Sequence, residues 1–175
     1  MTVPGKQGLV VGVADLAVGG AMDGSIITYA LGSCIGLTAY DPITRVGGLL
    51  HFMLPHPGAN AEGRVSKQFM FATTGIPMLF RRLVERGAVQ SRVVLTAAGG
   101  AEILERASKM AIGSRNRTTM RKVLWKMNLQ LAGEDCGGAV ARTMSINLED
   151  GSVSVRARSQ NRVLWAADNK PVPER

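Results

Sequence analysis

The first third of the chain carries four short apolar runs, separated by too few residues for a helix to cross between them. Leu9 to Leu16, Ile26 to Leu31, Ile35 to Tyr40 and Gly48 to Leu54 read as strands. Gly32-Ser33-Cys34, Asp41-Pro42 and Gly47-Gly48 punctuate them, and Pro55 closes the last. Parallel neighbours need a crossover of about a dozen residues or more, so these strands are predicted to pair antiparallel, as a meander or part of a sandwich.

The pattern then changes period. After a loop-like stretch from Pro57 to Gly63, Phe69, Thr73, Ile76, Phe80 and Leu83 recur at helical spacing, which predicts a helix over Ser66 to Arg86. Ser66 can cap its start and Gly87 can stop it in a left-handed conformation. Pro77 inside it predicts a kink, or a break near Gly75. Arg92 to Ala97 reads as a strand, Ala101 to Lys109 as a short helix interrupted at Gly113, and Thr118 to Leu129 as a second helix. Leu131 to Asp135, Val140 to Leu148 and Ser152 to Arg156 read as strands, the last two joined by a hairpin at Asp150-Gly151. From Ser159 the chain is charged and contains proline, so a frayed tail over 159–175 is predicted. Strands, helix, strand, helix and hairpin in that order define an α+β class. With 175 residues and no linker, a single domain over 1–175 is expected.

Composition narrows the function. Hydrophobic residues make up 46%, enough for a packed core, and charges interrupt every apolar stretch well short of a membrane span. The first residues lack the apolar segment of a signal peptide, and two cysteines do not make a disulfide framework, so a cytoplasmic location is expected. A net charge of +8 asks for an acidic partner. Aromatics are only 5% and no stacking-rich basic motif is present, which argues against nucleic acid. Arg81, Arg82 and Arg86 fall on one helix and Arg115, Arg117, Arg121 and Lys122 near the other, a pattern that fits solvated helix faces or contact with an acidic protein surface.

The stretch TYALGSCIGLTAYD, Thr28 to Asp41, places a rare thiol at a glycine turn between two strands. Cys34, His51, His56 and Cys136 are the chain's thiol and imidazole groups, but they show no C-x-x-C spacing, so no metal is expected. Cys34 fits a small buried core residue. It equally fits a nucleophile, because small residues on either side, Gly32-Ser33 and Ile35-Gly36, let a side chain stand out from a tight turn near backbone N–H groups. A thiol of ordinary pKa is only a few per cent ionised at neutral pH and needs a base. His51, in an apolar strand, is the candidate. His56, between Pro55 and Pro57, reads as a surface residue.

The run TYALGSCIGLTAYDPITRVGGLLHFMLP, Thr28 to Pro55, resembles the signature of the CheD family of chemoreceptor glutamine deamidases. GVAD at Gly12, RGA at Arg86, GGA at Gly99, IGSRN at Ile112 and GGAVAR at Gly137 follow in that family's order. The resemblance implies a three-layer α/β/α arrangement, a mostly antiparallel β core with flanking helices. It implies Cys34 as nucleophile, His51 as base and Thr28 as the third catalytic residue, with backbone N–H groups around Gly32, Ser33 and Ile35 as oxyanion candidates. The implied reaction is deamidation of receptor glutamines through a thioester, with hydrolysis of glutamyl methyl esters alongside. No cofactor is implied. The implied partners are cytoplasmic signalling helices of chemoreceptors and, in some bacteria, CheC-type phosphatases. Glu102 and Ile103 replace an Asn-Met pair, and Ala141 replaces a glycine of the family pattern, departures that bear on substrate range. The alternative reading is a regulatory binding protein that engages a phosphatase or receptor with little catalysis.

Overall fold

The computed structural model describes residues 8–58, 67–103 and 110–167. Ten strands and two α-helices are present among them: β1 (Leu9–Val11), β2 (Asp15–Gly20), β3 (Ser25–Leu31), β4 (Ile35–Asp41), β5 (Val46–Phe52), α1 (Ala72–Glu85), β6 (Val94–Gly99), α2 (Ile112–Lys126), β7 (Leu131–Cys136), β8 (Arg142–Asn147), β9 (Val153–Ala157) and β10 (Gln160–Trp165). They form two five-stranded sheets. Sheet I has the order β1-β3-β8-β9-β10 and sheet II the order β2-β5-β4-β6-β7. Pairing is antiparallel except where β1 meets β3 and β6 meets β7. The short β4–β5 connection imposes antiparallel pairing there, as the sequence predicts, whereas the β2–β3 and β3–β4 connections carry the chain from one sheet to the other, so the four early runs do not form a single meander.

Alternation along β4 and β5 divides the core in two. Ile35, Leu37, Ala39, Leu50 and Phe52 face the helices and pack with Ile76, Leu79, Phe80 and Leu83 of α1 and Met120 and Leu124 of α2. Tyr40 and Leu49 face the other way and pack with Ile26 and Leu31 of β3, Met144 and Ile146 of β8 and Val155 of β9. Every residue of β4 and β5 is buried, because one face carries helices and the other carries sheet I. Both described helices therefore lie on one side of sheet II, with sheet I on the other. The mixed α+β class and the mostly antiparallel sheets are those expected.

Several boundaries differ from the sequence reading. Leu9 to Leu16 is two strands, split at a turn where Ala14 takes a φ of 57°. The α1 segment begins at Ala72 after a single 3₁₀ turn at Gln68–Met70, and its N-cap is Phe71; Ser66 lies outside the described residues. Thr73 is exposed, and Ala72, Gly75 and Leu79 join the buried stripe instead. The helix runs through Pro77 without a break. It ends as predicted, at Gly87 with φ 94°, where Gly87 N–H donates to Val84 and Ala88 N–H to Leu83. The short helix expected at Ala101 to Lys109 is not formed at 101–103, and 104–109 lie outside the described residues. Within the expected frayed tail, Gln160–Trp165 is instead a strand paired with β9, and 168–175 lie outside the described residues.

Asp41, at the end of β4, is fully buried and anchors the rim away from Cys34. Its carboxylate accepts from the backbone of Ile43 and Val89 and from Nε and an Nη of Arg92. The Arg92 guanidinium and these N–H groups hold the carboxyl well below its ordinary range, against the opposing effect of burial. Asp41→Ala leaves those donors unpaired and is expected to lower stability by about 2–3 kcal/mol, discounted because Arg92 is partly exposed. Urea unfolding at pH 7 measures this; an unchanged midpoint would contradict it.

Candidate active site

Thr28 of β3 faces His51 of β5 across the gap between the sheets. Both are fully buried. Thr28 Oγ1 lies 2.8 Å from His51 Nδ1 and 2.8 Å from the carbonyl oxygen of Val11. The hydroxyl has one proton, and a carbonyl can only accept. Thr28 therefore donates to Val11 and accepts from His51, which places the ring proton on Nδ1. Nε2 is left as a bare lone pair, buried and without a partner among the described residues.

The sheet register places Cys34 beside that lone pair's strand. Gly36 stands directly opposite His51, and Cys34 lies two residues earlier, just before β4 begins. Cys34 packs with the residues between the sheets, on the same face of sheet II as His51. It is partly exposed and forms no hydrogen bond to Nε2 in this structure. Cys136, in the next strand but one, packs on the helix side of sheet II. His56 is exposed and outside β5, with Nδ1 3.2 Å from the carbonyl oxygen of Pro57.

A bulge delivers the chain to this turn. Thr28 pairs with Met144 and Leu31 with Arg142, so Tyr29 and Ala30 together oppose Thr143, with Ala30 at φ 57°. The turn that follows is tied by its carbonyls. Gly32 O accepts from Ala101 N–H at 2.8 Å and Cys34 O from Gly100 N–H at 2.7 Å. Ser33 O accepts from Asn116 Nδ2 of α2 at 2.9 Å. Gly32 N–H donates to Ala30, whereas the N–H groups of Ser33 and Cys34 have no main-chain acceptor among the described residues. Gly99, at φ 109°, makes room for this: a Cβ there would fall on the Cys34 carbonyl oxygen. Ile103, one of the departures from the family pattern, lies over Gly32.

The residues after His51 match the family model for "CheD chemotactic sensory transduction" over 53–157. The chain is 43% identical over 157 residues to the "Probable chemoreceptor glutamine deamidase CheD" of Solibacter usitatus (strain Ellin6076), covering 89% of this chain and 92% of that protein. It is 42% identical over 150 residues to "Probable chemoreceptor glutamine deamidase CheD 2" of Anaeromyxobacter dehalogenans (strain 2CP-C), covering 86% and 94%. The protein of that kind from Pyrococcus horikoshii is 36% identical over 156 residues, covering 88% and 94%. The chain belongs to the CheD family. The family model's match begins two residues after His51 and so contains none of Thr28, Cys34 and His51.

Two further CheD blocks take their places around the turn. Arg142, from GGAVAR, is nearly buried; it bonds Asp135 of sheet II and the carbonyls of Gly137 and Val140, joining the sheets beside Leu31. Glu102 is paired at 3.2 Å with Arg117, the residue that follows IGSRN. The residue missed by sequence reasoning is Asn116. A polar residue on the buried stripe Gly113, Asn116, Met120 and Leu124 was the available signal.

Burial sets the protonation states. It pushes His51 down to about 4 from 6.5, with the Asp15 carboxylate across the strand pair pulling the other way. Burial likewise raises the Cys34 thiol, partly offset by its own backbone N–H. The resting pair is neutral thiol and neutral imidazole. Because the folded protein holds His51 below its unfolded value, the fold binds fewer protons than the unfolded chain between pH 6.5 and about 4. Stability is expected to fall as pH drops through that window, by on the order of 3 kcal/mol. His51→Gln is expected to remove most of that slope in urea unfolding at pH 7 and pH 4.5, and an equal slope in the variant would contradict it. Gly99→Ala is expected to displace the Cys34 turn and cut Cys34 alkylation and turnover while leaving the Asp41 rim intact; wild-type rates in the variant would contradict the close approach.

Proposed function

We propose that this chain is a cysteine-dependent amidohydrolase that converts glutamine to glutamate on chemoreceptors, with residues 1–175 forming one deamidase domain. The observation that carries the reading is the His51 Nε2 lone pair. It is buried, fixed in tautomer by Thr28, without a partner, and on the sheet face that Cys34 shares. The names of the related CheD proteins supply the substrate class.

In the proposed reaction, His51 Nε2 takes the Cys34 proton as sulfur attacks the glutamine side-chain carbonyl carbon. The C=O pair moves onto oxygen, and the N–H groups of Cys34 and Ser33 receive the oxyanion. The imidazolium returns its proton to the departing nitrogen, so ammonia leaves and a glutamyl thioester remains. Water then loses a proton to Nε2 and adds to the thioester; collapse expels the thiol, and glutamate is the product. Ile35 completes the turn that presents the thiol, and Gly32 serves through its shape, since its N–H is occupied. A glutamyl methyl ester could follow the same course with methanol leaving. Because neither partner is ionised at rest, the base acts during attack.

The net charge of +8 suits a substrate whose helices gain acidic residues as glutamines are converted. Such helices lie on the cytoplasmic side, where we place this protein, and a CheC-type phosphatase is a second proposed partner for the same chain.

A receptor signalling-helix fragment gives the test: ammonia release together with a mass gain of about one dalton per site. Cys34→Ala and His51→Ala are each expected to reduce turnover about a thousandfold or more. Thr28→Val, which loses the tautomer lock, is expected to cost about 10- to 100-fold, and His56→Ala is expected to be neutral. Turnover that survives Cys34→Ala would overturn the mechanism. Tight binding of the fragment with no turnover would assign the chain to regulation instead.

A further inference from the structure

Asn116 is fully buried yet polar. Its amide nitrogen donates twice, to the carbonyl of Ser33 at 2.9 Å and to the carbonyl of Met53 at 2.9 Å. Both neighbours are acceptors, so the orientation of the amide is settled: exchanging Nδ2 and Oδ1 would set oxygen against oxygen at both contacts. The other two turn carbonyls, those of Gly32 and Cys34, are held by the backbone of Gly100 and Ala101. Only Ser33 is held by a side chain. The same nitrogen reaches the residue two places beyond His51, so one NH₂ group joins the segment bearing the thiol to the segment bearing the imidazole.

Peptide geometry extends the consequence. The Ser33 carbonyl and the Cys34 N–H belong to one planar trans unit and point in opposite directions. Holding the Ser33 oxygen therefore aims the Cys34 N–H. The helix is drawn close for this contact. A Cβ on Gly113, one turn earlier on the same stripe, would come within 2.7 Å of the Gly100 carbonyl oxygen. Packing alone does not explain Asn116, because its Oδ1 is buried with no partner among the described residues and leucine would fill a similar volume without that cost.

We infer that Asn116 is a positioning residue that sets the separation of Cys34 from His51 and the direction of the Cys34 N–H. The inference rests on the thiol–imidazole reading proposed above. It acts through Ser33 and Met53 rather than on the substrate.

The test is a double-mutant cycle on the full-length chain, read by iodoacetamide labelling of Cys34 with peptide mass mapping. Wild type, His51→Ala, Asn116→Ala, Asn116→Leu and each Asn116 variant combined with His51→Ala are compared. Cys136, whose thiol burial pushes up to about 11, reports loosening of the fold in the same samples. Either Asn116 variant is expected to slow Cys34 labelling about tenfold in the wild-type background and not at all in His51→Ala, with Cys136 unlabelled. With the receptor fragment, kcat is expected to fall about 10- to 100-fold at unchanged KM. Equal slowing in both backgrounds, no slowing, or Cys136 labelling that rises in step would overturn the inference. A wild-type labelling rate that His51→Ala does not change would instead overturn the thiol–imidazole pair itself, and the role of Asn116 with it.

Discussion

The hydroxyl of Thr28 has one proton and two neighbours, and the rest of the site depends on where that proton goes. Val11 can only accept, so His51 must donate from Nδ1 and present Nε2 as a lone pair. The contact spans the two sheets, from β3 to β5, so sheet packing and ring orientation are one constraint. Anything that slides sheet I against sheet II turns the imidazole. Arg142 opposes such a slide, because it stands in β8 and bonds Asp135 in β7. Burial of the ring adds the electrostatic half: His51 stays neutral at physiological pH and can accept a proton.

Around the thiol, the fold spends its polar groups on carbonyls. Three successive carbonyl oxygens, from Gly32 to Cys34, each receive a donor from the residues just after β6 or from α2. In a trans peptide the N–H points away from its carbonyl, so pinning the oxygens inward leaves the Ser33 and Cys34 N–H groups facing the other way. The bulge at Tyr29-Ala30 and the bare Cα of Gly99 are the local departures from regular pairing that make this turn possible. The proposed oxyanion site is thus a by-product of how the turn is tied down.

Much of this was legible in the sequence where period and punctuation agree. β4 and β5 stand within two residues of their predicted ranges, because seven consecutive buried residues between glycine or Asp-Pro turns leave little alternative. The Asp150-Gly151 hairpin formed where expected, between β8 and β9. β10 was hidden, since Gln160, Asn161 and Arg162 are exposed on an edge strand and resemble a solvated tail. β2 was hidden because Leu9 to Leu16 reads as one apolar run, whereas the chain turns at Ala14 and β2 starts at Asp15. The start of α2 was missed because Gly113 looks like a helix breaker, whereas it sits in the first turn where the chain passes close to Gly100. Thr28 could be named only through resemblance, because a threonine in a strand is ordinary, while the turn alone left Cys34 open between core residue and nucleophile. The Thr28–His51 contact joins residues on different sheets, and no local pattern encodes that.

The central claim is a protonation state, and nitrogen NMR of ¹⁵N-histidine-labelled protein reads it directly. The account predicts that the His51 ring at pH 7 is neutral with Nδ1 protonated and Nε2 bare, and that it stays neutral until pH approaches about 4. Thr28→Val should release that tautomer preference. An Nε2-protonated ring, or an imidazolium at pH 7, would contradict the account.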